Sequence, residues 1–251
     1  MLIQDLGDRL RLIPQHEHGL QSGELAAAWV GPGGDETVSE VVVLAAALHD
    51  LAWRQLDREP FLDPGSGLPV SFVDFPARPK YEAASAALDR LEEMHPYAAV
   101  LVSLHYTSFG SPGRPSAFEE SEEERRLELL DGLGDEAPGP RAIRRDLEHL
   151  RLFDNLSLFL CLTPPGASER YRPEWLRPDL LATREGGPRL SLTWVGGEAA
   201  ALEPFPFDSS PLEVPVECRD LPAGPFASDE ALLEAWEEAG PHPWTVKIVS
   251  S

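Results

Sequence analysis

Eight consecutive apolar residues, Val41-Val42-Val43-Leu44-Ala45-Ala46-Ala47-Leu48, run directly into His49-Asp50. A helix built on this run is apolar on every face, so it belongs inside the protein with other elements packed around it. The run predicts a central buried helix over 39–56, with Ser39 as its N-cap. Two side chains of metal-ligand type therefore sit near the end of the element that should be hardest to reach from solvent.

The neighbouring segments supply partners for that helix. Residues 2–13 read as a short strand or an extended lead-in. Pro14 opens a helix to residue 29, because proline is tolerated at the first helical position, and Gly31-Pro32-Gly33-Gly34 stops it. Residues 57–80 are rich in Pro, Gly and Asp and read as a long, lid-like loop. Helices are expected over 81–94 and 96–107, then a loop over 110–118 and a charged, exposed helix over 119–131. After a linker, 132–140, a long helix over 141–162 ends at Pro164-Pro165.

Near residue 186 the pattern changes. Residues 190–195, 212–218 and 244–249 read as strands, and Ser228 caps a helix carrying Asp229 and Glu230 in its first turn. The expected fold class is thus mainly α. A helical metal-binding domain would span 1–185, with a small β-rich α+β appendage over 186–251. That appendage could pack on the helical domain or form the contact of a homodimer.

Charge removes some partners. The chain has 43 acidic and 21 basic residues, a net charge of −22. A surface that tracks nucleic-acid phosphates needs a basic footprint, and so does adsorption to anionic lipid, so neither nucleic acid nor membrane is expected. The two cysteines, Cys161 and Cys218, have no metal spacing and read as free thiols in a reducing compartment. Residues 1–12 carry charges throughout and lack the apolar core of a signal peptide. The expected location is cytoplasmic.

A candidate metal set follows from faces. On a helix each residue turns about 100°, which places Ser22, Leu25 and Trp29 within roughly 40° of His18, so His18 shares their inward face. His16 falls about 160° away and is expected to point out. In the helix over 141–162 the apolar stripe runs Ile143, Leu147, Leu150, Leu158, Cys161, and Asp154 fills the gap in it. A carboxylate inside a core stripe is costly unless it is paired or bound to a cation. His18, His49, Asp50 and Asp154 make a mixed nitrogen–oxygen set. Such a set suits Mn, Fe, Co, Ni, Mg or Zn without choosing among them.

The order His…His-Asp…Asp on successive helices resembles the HD-domain superfamily of metal-dependent phosphohydrolases, with His18-Gly-Leu-Gln-Ser-Gly-Glu-Leu-Ala26 similar to its first-ligand helix. The resemblance covers about 14–163. Segment spacing also resembles domain-of-unknown-function family 3891, through the Ser-Gly-Glu turn after His18, the stretch Ser103-Leu104-His105, and Asp154 followed by Ser157-Leu158. Many HD enzymes carry Gly-Lys soon after the His-Asp pair, whereas Ala52-Trp53-Arg54 follows here. Arg54 could take over the phosphate-handling role.

The resemblance implies an HD-like helical bundle that hydrolyses a small phosphoester or nucleotide through a metal-activated water. Asp50 is the candidate general base, and His105 could bind a phosphate oxygen, protonate the leaving group or hold a second metal. Arg54, Arg78 and Lys80 are the basic residues expected to meet the phosphate. Two other readings stand beside this one. One is a di-metal oxygenase drawing on His105 and His16; the other is a non-catalytic metal-binding or scaffold protein.

Overall fold

The structure is a computed structural model that describes residues 1–109, 116–176 and 189–250. Strands β1 (Leu2–Asp5) and β2 (Arg9–Ile13) form a hairpin and lead through Pro14 into α1 (Gln15–Ala27). Helices α2 (Glu40–Leu48), α3 (Trp53–Leu56), α4 (Ala77–Met94), α5 (Pro96–Thr107), α6 (Ala117–Leu133) and α7 (Pro140–Leu162) follow. The C-terminal part adds β3 (Ser191–Gly196), β4 (Ala199–Glu203), β5 (Leu212–Pro222), α8 (Asp229–Ala239) and β6 (His242–Ser250).

The mainly α expectation is overturned. About 49% of the chain is helical and 19% is strand, and the strands form one curled, six-stranded mixed sheet, so the fold is α/β rather than all-α. The strand order is β1-β2-β5-β6-β4-β3. The reason lies in β2. Leu10 and Leu12 alternate with Arg9 and Arg11, which gives β2 one apolar face, and it pairs antiparallel with β5 in the register Leu10↔Leu221 and Leu12↔Arg219. The N-terminal hairpin thus completes a sheet whose other strands lie some two hundred residues later, and the C-terminal strands are not an appendage to a helical bundle. The residue-186 composition boundary and most of the expected 110–118 loop lie outside the described residues.

Local boundaries shift for identifiable reasons. The predicted 39–56 helix breaks after Leu48. The Ala46 carbonyl, which an uninterrupted ladder would offer to the Asp50 N–H, instead accepts from the His49 ring at 2.7 Å. Tight i→i−3 bonds, from Leu51 N to Leu48 O and from Trp53 N to Asp50 O, carry the chain into α3. α5 is the more deeply buried helix, with Tyr97 through Ser103 and His105 all inside, while half of α2 is only partly buried. α4 starts at Ala77, so the long loop is 57–76.

Helices α1, α2, α5 and α7 share one core with the sheet, while α8 packs with β1, β2 and the end of β5 in a separate cluster. Leu25, Val42, Leu101, Phe153 and Leu156 belong to the same apolar cluster as Val214, Val216, Trp244 and Val246. Polar side chains join the layers as well. Gln21 Nε2 donates to the Val214 carbonyl at 3.2 Å, and Gln4 Nε2 donates to the Cys161 carbonyl at 2.6 Å. Among the described residues no helix is long and apolar enough to cross a membrane.

Candidate metal centre and its pocket

Four helical segments converge on one point. α1 approaches α2 closely because Gly23 faces Ala47: a Cβ there would stand 2.6 Å from the Ala47 Cβ. Gly19 lies as close, with the Ala47 carbonyl at 3.2 Å and His49 Cε1 at 3.7 Å from its own would-be Cβ. This glycine seam brings His18 beside the turn that carries His49 and Asp50. α7 crosses behind them and delivers Asp154, and α5 delivers His105.

The distances are those of ligands around a common ion. His18 Nε2 lies 3.0 Å from Asp50 Oδ2 and 3.8 Å from Asp154 Oδ1. His49 Nε2 lies 3.4 Å from Asp154 Oδ1 and 3.7 Å from Asp50 Oδ2. With metal–ligand bonds of about 2.1 Å, neighbouring ligand atoms stand roughly 3.0 Å apart at right angles and roughly 3.4 Å apart in a tetrahedron. Ligand atoms of His18, His49 and Asp154 all fall within 4.8 Å of one another. Asp50 contacts both imidazoles but lies outside that mutually close group of three.

The donor set fits a divalent ion on a second count, the state of its nitrogens. His49 Nδ1–H donates to the Ala46 carbonyl, which fixes the ring so that Nε2 is the nitrogen left to take a metal once its proton is displaced; that Nε2 is buried and has no hydrogen-bond partner. His18 Nδ1 faces Ser157 Oγ at 3.2 Å. The serine's single proton is used on the His18 carbonyl or Gln21 Oε1, each 2.9 Å away, so Oγ accepts from Nδ1–H and His18 Nε2 points inward at Asp50 Oδ2. Oxygen acceptors behind imidazole ligands are the usual means of orienting them toward a metal.

Electrostatics agree. Burial works against charge on the His49 ring, but Asp50, Asp154 and the Ala46 carbonyl outweigh it and hold its pKa up at about 9. Burial likewise opposes ionisation of Asp154, yet His49, His105 and His18 hold its carboxyl well below the usual range. In the absence of another cation, protonated imidazole has to balance these carboxylates. His105 differs: burial dominates and pushes it down to about 4, so it is neutral at pH 7. Its Nε2 stands 3.5 Å from Asp154 Oδ2, the oxygen turned away from His18 and His49, and its Nδ1 is buried without a partner.

This centre forms the floor of a pocket of about 450 Å³. Of the residues expected to meet substrate, Lys80 lines the pocket. Arg54 is exposed and outside the pocket wall. Arg78 is 89% exposed and paired with Glu82 at 2.8 Å, also outside it. Sequence reasoning missed Arg151, Gln15, Asn155 and Tyr106, all of which line the pocket. Arg151 and Asn155 flank Asp154 on α7, one turn before it and one residue after it, and that neighbourhood was the signal available. His16 is half-buried rather than turned fully outward, and its ring is influenced by Arg54, Asp50, His49 and His18. Burial is the main cause that lowers its pKa.

A second group of metal-type side chains, Cys218, Asp220 and His242, lies on the sheet. Its carboxylate is already taken: Arg11 holds Asp220 through two bonds of 2.6 and 2.8 Å, and Arg9 approaches at 3.2 Å.

Fold and site together define a class: a mixed α/β protein with a buried His/Asp centre of metal-ligand type beneath an apolar-walled pocket. More particularly, the chain belongs to the family described as protein of unknown function (DUF3891), whose model matches residues 1–223. The matched span contains every member of the centre and runs from the N-terminal hairpin to the end of β5. No curated protein and no solved structure matches the chain.

Proposed function

We propose that this protein is a metal-dependent phosphohydrolase acting on a small phosphoester, related to the HD-domain superfamily by its ligand order rather than by its overall architecture. The observation that carries the reading is the buried, unpartnered Nε2 of His49, grouped with His18 and Asp154 and with Asp50 beside it. His18, His49, Asp50 and Asp154 would hold a divalent ion. Such an ion would supply Lewis acidity toward a phosphoryl oxygen and acidify water at its open position.

The chain's own groups would do the rest. Asp50 would accept the proton of the attacking water at a carboxylate oxygen. Arg151, the guanidinium nearest Asp154 along α7, would offset charge on the phosphoryl oxygens. His105, being neutral, would orient a phosphoryl oxygen or the leaving group through one hydrogen bond rather than through charge. The apolar walls would limit bulk water.

The test is elemental analysis of protein purified without chelator, followed by assay of a phosphoester panel with added Mn²⁺. Bound metal near one equivalent with hydrolysis of at least one ester supports the reading. A protein that retains no metal after incubation with Mn²⁺, Fe²⁺ or Zn²⁺ overturns it. One observation favours a di-metal oxygenase as a second reading: His105 beside the outer oxygen of Asp154. Two metals per chain with oxygen consumption would select it.

A further inference from the structure

The wall above the centre differs in chemistry from the floor. Apart from the His/Asp residues, the polar side chains lining the pocket are Gln15, Lys80, Arg151, Asn155 and the hydroxyls of Tyr81 and Tyr106. Gln15 sits one turn before His18, Arg151 and Asn155 flank Asp154, and Tyr106 adjoins His105. Their places in the chain put all four at the metal end. Lys80 lies on α4, which carries no member of the centre, and marks the far wall. That far wall is otherwise built of Trp53, Phe72, Val73, Tyr81, Phe109 and Trp175.

Four of these walls are also unusually open. Val73 (48%), Tyr81 (41%), Phe109 (66%) and Trp175 (47%) are half of the large hydrophobic side chains exposed among the described residues. Soluble proteins seldom gather exposed apolar side chains in one place without a use for them. Phe109 also packs its ring edge-on against His105, with centroids 4.9 Å apart, so the apolar wall continues down to the metal end.

We infer that the ligand of this pocket is a phosphomonoester with an apolar body of aromatic-ring size. The phosphate lies at the metal and Arg151, and the body lies against the Trp53–Tyr81–Phe109–Trp175 wall. This inference rests on the phosphohydrolase reading for the placement of the phosphate. The far wall offers no side-chain amide and no carboxylate that could read the polar edge of a nucleobase or the hydroxyls of a sugar. A polar body placed there would find only the Lys80 ammonium, the Tyr81 hydroxyl and indole N–H groups in exchange for its hydrogen bonds to water, which selects against it. An apolar body gains from the same surface by leaving water.

Calorimetric titration of the full-length, Mn²⁺-loaded protein with non-hydrolysable phosphonates tests this without relying on turnover. The probes are methylphosphonate and 2-phenylethylphosphonate. The expected result is at least tenfold tighter binding of the phenylethyl compound. Phe109→Ser should cut that preference by threefold or more while melting temperature and metal content stay unchanged. Arg151→Gln should weaken both ligands alike. Equal binding of the two phosphonates, no binding of either, or a preference untouched by Phe109→Ser would overturn the inference. The kinetic arm uses glycerol 3-phosphate and 2-phenylethyl phosphate, both esters of primary alcohols. Hydrolysis of both at equal kcat/KM would overturn the apolar ligand and leave the hydrolase reading standing. A tenfold phosphonate preference with no hydrolysis of either ester would do the reverse.

Discussion

The protein contains two groups of side chains that proximity alone would call metal sites, and they bury their charges on opposite terms. On the sheet, Cys218, Asp220 and His242 are matched by Arg11 and Arg9, and Arg11 also lies over the Trp244 ring at 5.1 Å. Burial pushes the Cys218 thiol up to about 12, so at neutral pH it is protonated. Between α1, α2 and α7 the imidazoles of His18 and His49 turn Nδ1 to oxygen acceptors and Nε2 toward the carboxylates of Asp50 and Asp154, and His49 Nε2 has no hydrogen-bond partner. The two clusters differ in how their carboxylates are matched: the sheet's is held by arginine, whereas those of this centre face imidazoles. A proton on an imidazole can be displaced by a metal ion, and an arginine's charge cannot.

The largest expected effect breaks one cluster and leaves the other alone. His49→Ala or Asp154→Ala should reduce bound metal from about one equivalent to background and abolish any hydrolysis, a loss of roughly a thousandfold or more. Cys218→Ser and His242→Ala should leave metal content at the wild-type level. Elemental analysis of the four purified variants decides the matter, and metal lost from the sheet variants would reverse the assignment.

His105→Gln comes next. If the ring faces the reacting group, the rate should fall about a hundredfold, the usual scale for losing an acid, base or charge stabiliser, while metal content and melting temperature hold. A thermal melt and a rate on the same preparation separate this from a structural role. A destabilised variant with normal turnover would return His105 to the core.

Arg11→Ala sharpens the contrast from the other side. Asp220 would lose its bidentate partner in a partly buried place, at a cost of about 2 kcal/mol in folding stability. Denaturant unfolding measures it, and metal stoichiometry should stay at one.

The smallest effect is one of pH. The raised pKa of His49 means that a metal-free protein gains stability from the His49 pairing in full below about 6.5, its unperturbed value, and loses it as pH rises through about 9. Metal requires the neutral ring and displaces that proton. The melting temperature of chelator-stripped protein should therefore fall by roughly a few degrees between pH 6.5 and 9. The metal-loaded protein should stay level, and its affinity for metal should rise over the same range. Identical profiles for the two forms would count against His49 as a ligand.

The centre was legible in the sequence because each member breaks a local rule. Asp154 interrupts an apolar stripe, and His49-Asp50 ends a run with no polar residue; both conflicts are visible without tertiary information. The pocket was less so. Arg54 and Arg78 were expected at the phosphate because they are basic and follow the His-Asp pair, but the break after Leu48 turns the chain and leaves both facing solvent. Arg151, on the same helix as Asp154 and a turn before it, was the better candidate. The sheet was least legible. Ala199-Ala-Ala-Leu-Glu203 has the composition of a helix and became β4, because β3 on one side and β6 on the other satisfy its backbone. The hairpin β1–β2 gives no local sign that its partner is β5.

That pairing of β2 with β5 has a consequence for the order in which the molecule comes together. A chain emerging in the direction of synthesis exposes residues 1–162 first, and with them all five side chains of the centre. Leu221, which faces Leu10, emerges only later. Until then the outer edge of β2 is a row of open backbone donors and acceptors, and the helical layer lacks the half of its core that β5 and β6 supply. Pairings so distant along the chain close late and slow the last stage of folding. Nascent protein arrested before β5 would carry every ligand residue on an uncovered apolar face while offering a bare strand edge to any chain nearby.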